Sequence, residues 1–170
     1  GFARLSADYR EAKISHEAFV NANPLAPPWL VPPADANALA VGVWPANASR
    51  ARGGELEIAG VAATVLAAEF GSPLYVVDEA DARARAASIR RSFETAFAAI
   101  GATVTVYYAG KAFLSAEVAR WMDAEGLAID VASGGELALA LAAGIDASRM
   151  GVHGNNKSLE EIESAVGAGV

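Results

Sequence analysis

The chain has 170 residues, 54% of them hydrophobic and 19% charged, with a formal net charge of −7. That length holds one core-bearing domain, and the low charged fraction leaves apolar surface that expects more protein against it. The acidic balance excludes non-specific nucleic-acid binding, no apolar run reaches the roughly 18 residues that span a bilayer, and the absence of cysteine removes disulfides, thiolate metal sites and thiol nucleophiles.

The first stretch, Gly1 to Lys13, carries Arg4, Asp8, Arg10 and Glu11 and lacks the apolar core of a signal peptide. A cytoplasmic protein is the expectation. Residues 1–54 read as an irregular arm. Pro24, Pro27, Pro28, Pro32 and Pro33 interleave with Ala and Asn, which excludes a continuous helix or a central strand. Trp29 and Trp44 are the side chains that would pin the arm, and Gly53-Gly54 marks its end.

From Glu55 onward, residues 55–170 alternate regularly between strand and helix. Ala59 to Phe70 reads as a helix stopped by Gly71, and Leu74-Tyr75-Val76-Val77 as a short strand. A long helix runs from about Glu79 to Ala99, before Gly101. Val104 to Tyr108 is the next strand, followed by a helix from about Ser115 to Ala124 and a stop at Gly126. Leu127 to Val131 is a third strand, with a helix from about Gly135 to Ala143 and a stop at Gly144. Met150 to His153 is a fourth, and Ser158 to Ala168 begins a fourth helix after it. Two helices open on Ser-x-x-Glu capping boxes, Ser133 with Glu136 and Ser158 with Glu161. Apolar strands alternating with Gly-terminated helices imply right-handed crossovers and a parallel sheet covered on both faces. About four such units are half of a (β/α)8 barrel or most of an open doubly wound sheet, and the pattern does not separate the two.

In either architecture, reactive groups gather at the C-terminal ends of the strands. Those ends read Tyr108-Ala109-Gly110-Lys111, Asp130-Val131-Ala132-Ser133 and His153-Gly154-Asn155-Asn156-Lys157. Lys111 stands out among three lysines because Gly110, Ala112 and Phe113 offer little to solvate its ammonium, and desolvation frees a lysine amine to attack a carbonyl. By position alone it is also a strand-end lysine that snorkels to solvent or pairs with a carboxylate. Asp130, at the neighbouring strand end, orients Lys111, meets a cofactor, or is a pairing carboxylate with no chemical role. Ser133-Gly134-Gly135 would present free helix N-terminal amides, although a capping turn explains them equally well. His153, Asn155, Asn156 and Lys157 line a site or serve as turn formers and caps. No Gly-x-Gly-x-x-Gly, Walker A or His-Glu-x-x-His pattern occurs, and no cluster has metal-ligand spacing, so no metal is expected.

Tyr108-Ala-Gly-Lys-Ala112 resembles the Tyr-Ala-x-Lys-Ala signature of fold-type III pyridoxal-phosphate decarboxylases. Asp130-Val-Ala-Ser-Gly-Gly-Glu136-Leu and His153-Gly-Asn-Asn-Lys-Ser158 are similar to the next two blocks of the diaminopimelate decarboxylase family. Val43-Trp44-Pro45 and the segment from Leu66 to Glu79 resemble it too, in a form like that of actinobacteria. The resemblance covers about residues 41 to 170, departs at Gly110 where the family carries a side chain, and leaves the first 40 residues unplaced.

What the resemblance implies is an α/β fold: the N-terminal half of an alanine racemase-like, pyridoxal 5′-phosphate-binding (β/α)8 barrel, whose C-terminal β-domain is absent from these residues. It implies decarboxylation of meso-2,6-diaminopimelate to L-lysine. Lys111 would be the Schiff-base lysine, with Ala109, Asp130 and His153 beside the cofactor and Tyr108, Ser133 and Asn155 behind them. It also implies a small amino-acid substrate and a homodimer with shared active sites, with no nucleic acid or membrane as partner. An ornithine or arginine decarboxylase, an amino-acid racemase, or a non-catalytic pyridoxal-phosphate-binding homologue are the alternatives. The family's glycine-rich phosphate loop, pyridine-facing carboxylate, stacking histidine, substrate-binding arginine and partner-supplied cysteine have no counterpart here. These residues are therefore expected to be part of a longer enzyme, inactive by themselves.

Overall fold

The computed structural model describes Pro27, Asp35 and residues 37–170, so the remaining prolines of the Pro24–Pro33 stretch and Trp29 lie outside the described residues. Within the unit Trp44–Val170, the first regular feature is an antiparallel sheet of β1 (Ala48–Arg50), β2 (Leu56–Ile58) and β3 (Val61–Ala62), in that order. Ala48 faces Ile58 across the first pair and Glu57 faces Ala62 across the second. Gly53-Gly54 does not end an arm but turns the chain from β1 into β2, the Gly54 N–H reaching the Ala51 carbonyl at 2.8 Å. Ala59 and Gly60, with φ of 50° and 78°, make the two-residue left-handed turn that matches the twist of a hairpin. That turn delays the expected helix. It begins at α1 (Ala63–Phe70), whose first turn is tied back by the Glu55 carboxylate accepting from Thr64.

Leu74–Val77, expected as a strand, is paired with no neighbour among the described residues, and Tyr75 is 95% exposed. An apolar strand gains little until something covers it and satisfies its backbone. A concave space of about 780 Å³ separates Tyr75-Val76-Val77 from the strand expected beside them. The long helix α2 (Glu79–Ala98) follows, capped by Asp78, whose carboxylate accepts the Asp81 N–H at 3.1 Å. Asn47 donates to the other oxygen at 2.9 Å. These bonds, the Asp81 amide first, hold the buried Asp78 carboxyl below its ordinary range.

Three strands then pair in parallel in the order β4 (Tyr107–Ala109), β5 (Ala128–Val131) and β6 (Met150–Val152). Helix α3 (Ala116–Ala124) joins the first two and α4 (Gly134–Ala142) the last two, and α5 (Leu159–Ala168) follows β6. Ser115, Ser133 and Ser158 cap the three helices by accepting the amide three residues on. Of the four β-α units in the sequence pattern, three have strands paired among the described residues; Leu74–Val77 precedes α2 without a pairing partner there. Of Val104 to Tyr108, only the end joins the ladder, with the Ala128 N–H reaching back to the Val106 carbonyl.

The core lies between this sheet and its helices. Ile129, Val131 and Met150 pack with Val118, Met122, Leu137 and Ala140. Among the described residues no helix is long and apolar enough to cross a membrane. Ile129 has no solvent exposure, so Ile129→Ala leaves a hole that neighbours only partly fill. The variant is expected to lose about 2–5 kcal/mol of stability, measured as a lower urea midpoint at unchanged slope.

Candidate functional site

Register decides what meets at the C-terminal edge of the sheet. Ala109 pairs with Asp130, and Asp130 with Gly151. Side chains alternate along a strand, so Ile129 and Val131 enter the helix-side core while Asp130 faces the other way. Tyr107 shares Asp130's face, and its ring crosses to Gly151, where a Cβ would stand 3.3 Å from the ring edge.

Strand β4 ends in a single 3-10 turn, Gly110–Ala112, which carries Lys111. Gly110 is buried, and a Cβ there would lie 2.9 Å from the Asp130 carbonyl oxygen and 3.3 Å from Glu136 Oε2. The missing side chain lets the turn rest on β5 rather than loosening it. Lys111 itself is exposed, and among the described residues it has no hydrogen-bond or ion-pair partner. The apolar enclosure expected from its neighbours is therefore not supplied here: Gly110 is spent on the contact with β5, and Phe113 is itself half exposed.

His153 follows β6, held in register by its N–H to the Val131 carbonyl at 2.9 Å. Its Nδ1 lies 3.4 Å from Asp130 Oδ2, with the imidazole 68% and the carboxylate 22% exposed. The sheet thus brings two of the expected site residues together. Asp130 is paired with His153, and among the described residues no ion pair joins it to Lys111. Asn155 is exposed beyond them, and Ala109 stands opposite Asp130 in the register. Tyr108 points to the helix side, opposite Ile129, and its hydroxyl donates to the Phe113 carbonyl at 2.6 Å. Burial raises its phenol above the ordinary value, more than the Phe113 bond lowers it.

Two carboxylates that the sequence offered only as helix caps tie the loops of this edge together. Glu136 Oε2 accepts the Ala132 N–H at 2.7 Å instead of closing its own box on Ser133. Glu161 closes its box on the Ser158 N–H and reaches across to the Gly134 N–H, both at 2.9 Å. Gly134 is therefore not a free amide for an anion; of the two readings of Ser133-Gly134-Gly135, the capping turn is the one formed. Lys157 donates its ammonium to the Ala132 carbonyl at 2.5 Å and passes over Gly154, where a Cβ would stand 2.6 Å from Nζ. It is a brace between loops rather than a lining residue. The only sequence signal for these roles was the spacing of the two Ser-x-x-Glu boxes.

An amine without a partner, at the end of a parallel strand and beside a carboxylate–imidazole pair, suits covalent capture of a carbonyl compound. Residues 86–170 match the family described as pyridoxal-dependent decarboxylase, pyridoxal binding domain. The chain belongs to that family. Diaminopimelate decarboxylase of Mycobacterium tuberculosis is 52% identical over 132 residues, a span of 78% of this chain and 28% of that protein. The Bacillus subtilis enzyme of the same name is 50% identical over 113 residues, 66% of this chain and 25% of that one. The crystal structure of diaminopimelate decarboxylase from M. jannaschii matches with a TM-score of 0.61 at 27% identity, over 73% of this chain and 28% of that chain. This chain thus spans about a quarter of the length of these relatives, and its parallel β-α units are the opening arc of the family's pyridoxal-binding α/β domain.

The Ser158 amide first, then the Gly134 amide, hold Glu161 below the ordinary glutamate range. A carboxylate depressed in the folded state stabilises it above the unfolded pKa, and that contribution is lost as pH falls through the folded value. Glu161→Gln is therefore expected to be less stable than the parent at neutral pH, with the gap closing below about pH 4. Unfolding curves across pH read this directly; parallel curves for the two proteins would contradict it.

Proposed function

We propose that the protein carrying this chain decarboxylates meso-2,6-diaminopimelate to L-lysine and CO2, with pyridoxal 5′-phosphate held covalently by Lys111. The observation that carries this reading is the position of Lys111. It is the unpartnered amine at the end of β4, within the segment that matches a pyridoxal-binding family. Its exposure leaves Nζ open to approach, and no ion pair has to break before it attacks an aldehyde. When bound, the cofactor supplies the electron sink for the pair left behind as CO2 departs. Asp130 orients the His153 imidazole through the Nδ1 contact, which leaves Nε2 free to turn toward whatever lies over the sheet edge. Ala109 adds little bulk to the same face, Gly151 makes room there for the Tyr107 ring, and Ser133 and Asn155 follow the strand ends with polar groups.

The diaminopimelate decarboxylases of M. tuberculosis and B. subtilis support the choice of substrate. The family resemblance supports a homodimer with shared sites, and a cytoplasmic setting goes with a biosynthetic enzyme of that family. The remaining walls of the site, among them the phosphate loop and the substrate-binding arginine, belong to other parts of the proposed enzyme.

In the full-length protein, Lys111→Ala is expected to abolish the absorbance band of lysine-bound cofactor and to lower turnover on the order of a thousandfold or more. A band that survives the substitution sinks the assignment. Turnover with meso-diaminopimelate is expected to exceed that with ornithine or arginine, and the reverse order would move the protein to another branch of the family.

A further inference from the structure

We infer that the Tyr108 hydroxyl is a latch that sets where the Lys111 amine stands, which makes Tyr108 a positioning residue for cofactor attachment. The inference rests on the reading of Lys111 as the cofactor-bearing lysine.

Tyr108 lies on β4 and Lys111 in the turn that follows it. The Tyr108 ring lies on the helix side of the sheet, packed against the core opposite Ile129. From there its hydroxyl donates to the Phe113 carbonyl at 2.6 Å. The bond starts three residues before Lys111 and ends two residues after it, so it closes the chain into a loop with Lys111 inside. Between those ends stand Ala109, the last residue of β4, and the single 3-10 turn Gly110–Ala112, too short to hold its own shape by repeated backbone hydrogen bonds.

On the opposite side the turn meets the Asp130 carbonyl, where the bare Gly110 Cα allows contact that a Cβ would block at 2.9 Å. The turn is therefore held between the hydroxyl of the half-buried Tyr108 and the backbone of β5. Lys111 has no partner of its own among the described residues, so the backbone of this turn alone fixes the origin of its four-carbon stem. If Phe113 is released, the turn can swing and the amine sweeps a wider volume. Fewer of its encounters with an aldehyde then have the right approach. Burial keeps the Tyr108 phenol protonated, and so donating, throughout the range in which a lysine amine is brought to react.

The test uses the full-length protein freed of cofactor. Tyr108→Phe keeps the ring and its packing and removes only the donor, while the Phe113 carbonyl sits on an exposed residue that water can satisfy. Pyridoxal 5′-phosphate is added, covalent attachment is followed by absorbance, and the linkage is trapped with borohydride and mapped to its peptide. The expected result is attachment roughly tenfold weaker, because the released turn holds the amine in the productive orientation for a smaller share of the time. The melting temperature of the cofactor-free variant should match the parent's. Parent-like attachment overturns the latch, and so does a weakened attachment accompanied by an equal loss of stability in the cofactor-free protein. Lys111→Ala runs beside it. If its adduct disappears while Tyr108→Phe behaves as the parent, the latch alone is wrong; if a trapped adduct persists in Lys111→Ala, the lysine assignment falls and takes the latch with it.

Discussion

Ile129 and Val131 lose all exposure to water in the folded chain, and that burial fixes β5 against the helices on either side of it. Burying two such side chains contributes about 1.5–3 kcal/mol each, enough to make a one-residue slip of the strand prohibitive. The same alternation that sends these residues inward leaves Asp130 on the other face, facing Ala109 on one neighbour and Gly151 on the other. The chemistry of the sheet edge is thus referenced to a strand whose position is determined by packing that takes no part in the chemistry. Lys111 inherits its place from the carbonyl of Asp130 and His153 from the carbonyl of Val131, both on β5.

The loops above β5 and β6 behave as one body because their polar groups are exchanged between neighbours. The Ala132 amide is taken by Glu136 and its carbonyl by Lys157, while Glu161 spans from the start of its own helix to the start of the preceding one. Glu161 satisfies a helix N-terminal amide, Gly134, that would otherwise need water, Glu136 takes the amide just before its own helix cap, and both negative charges sit where the helix dipoles favour them. Among the described residues the Lys111 amine has no partner in this exchange. A rigid rim with one unengaged cation is an arrangement suited to a covalent ligand.

Much of this was legible in the residues. Ser115, Ser133 and Ser158 announced three helix starts, the glycines at 126 and 144 announced two stops, and each helix lies within a residue or so of its expected bounds. Those signals are local, so they survive folding unchanged. The antiparallel sheet at 48–62 was not legible, because Ala59 is an unusual residue to hold φ at 50° and an alanine-rich stretch reads as helix. Leu74–Val77 has the composition of a strand, yet a strand also needs a neighbour, and composition does not supply one. At the site, chain order alone brought Asp130 and His153 to adjacent strand ends. The diversion of Glu136 to Ala132 and the reach of Tyr108 to Phe113 depend on the packing of the β4 turn and the β5–α4 loop, which no spacing rule encodes.

Gly154 holds φ at 134°, a conformation open essentially to glycine, and the ammonium of Lys157 occupies the space where a side chain would go. Two separate penalties therefore fall on position 154. Strain of about 1–3 kcal/mol follows any side chain whatever the surroundings, and eviction of Lys157 from the Ala132 carbonyl follows only while a long cation is present. In genetic terms the second penalty is suppressible and the first is not. Shortening residue 157 would restore part of the lost function to a Gly154→Ala protein, and no change at 157 would restore all of it.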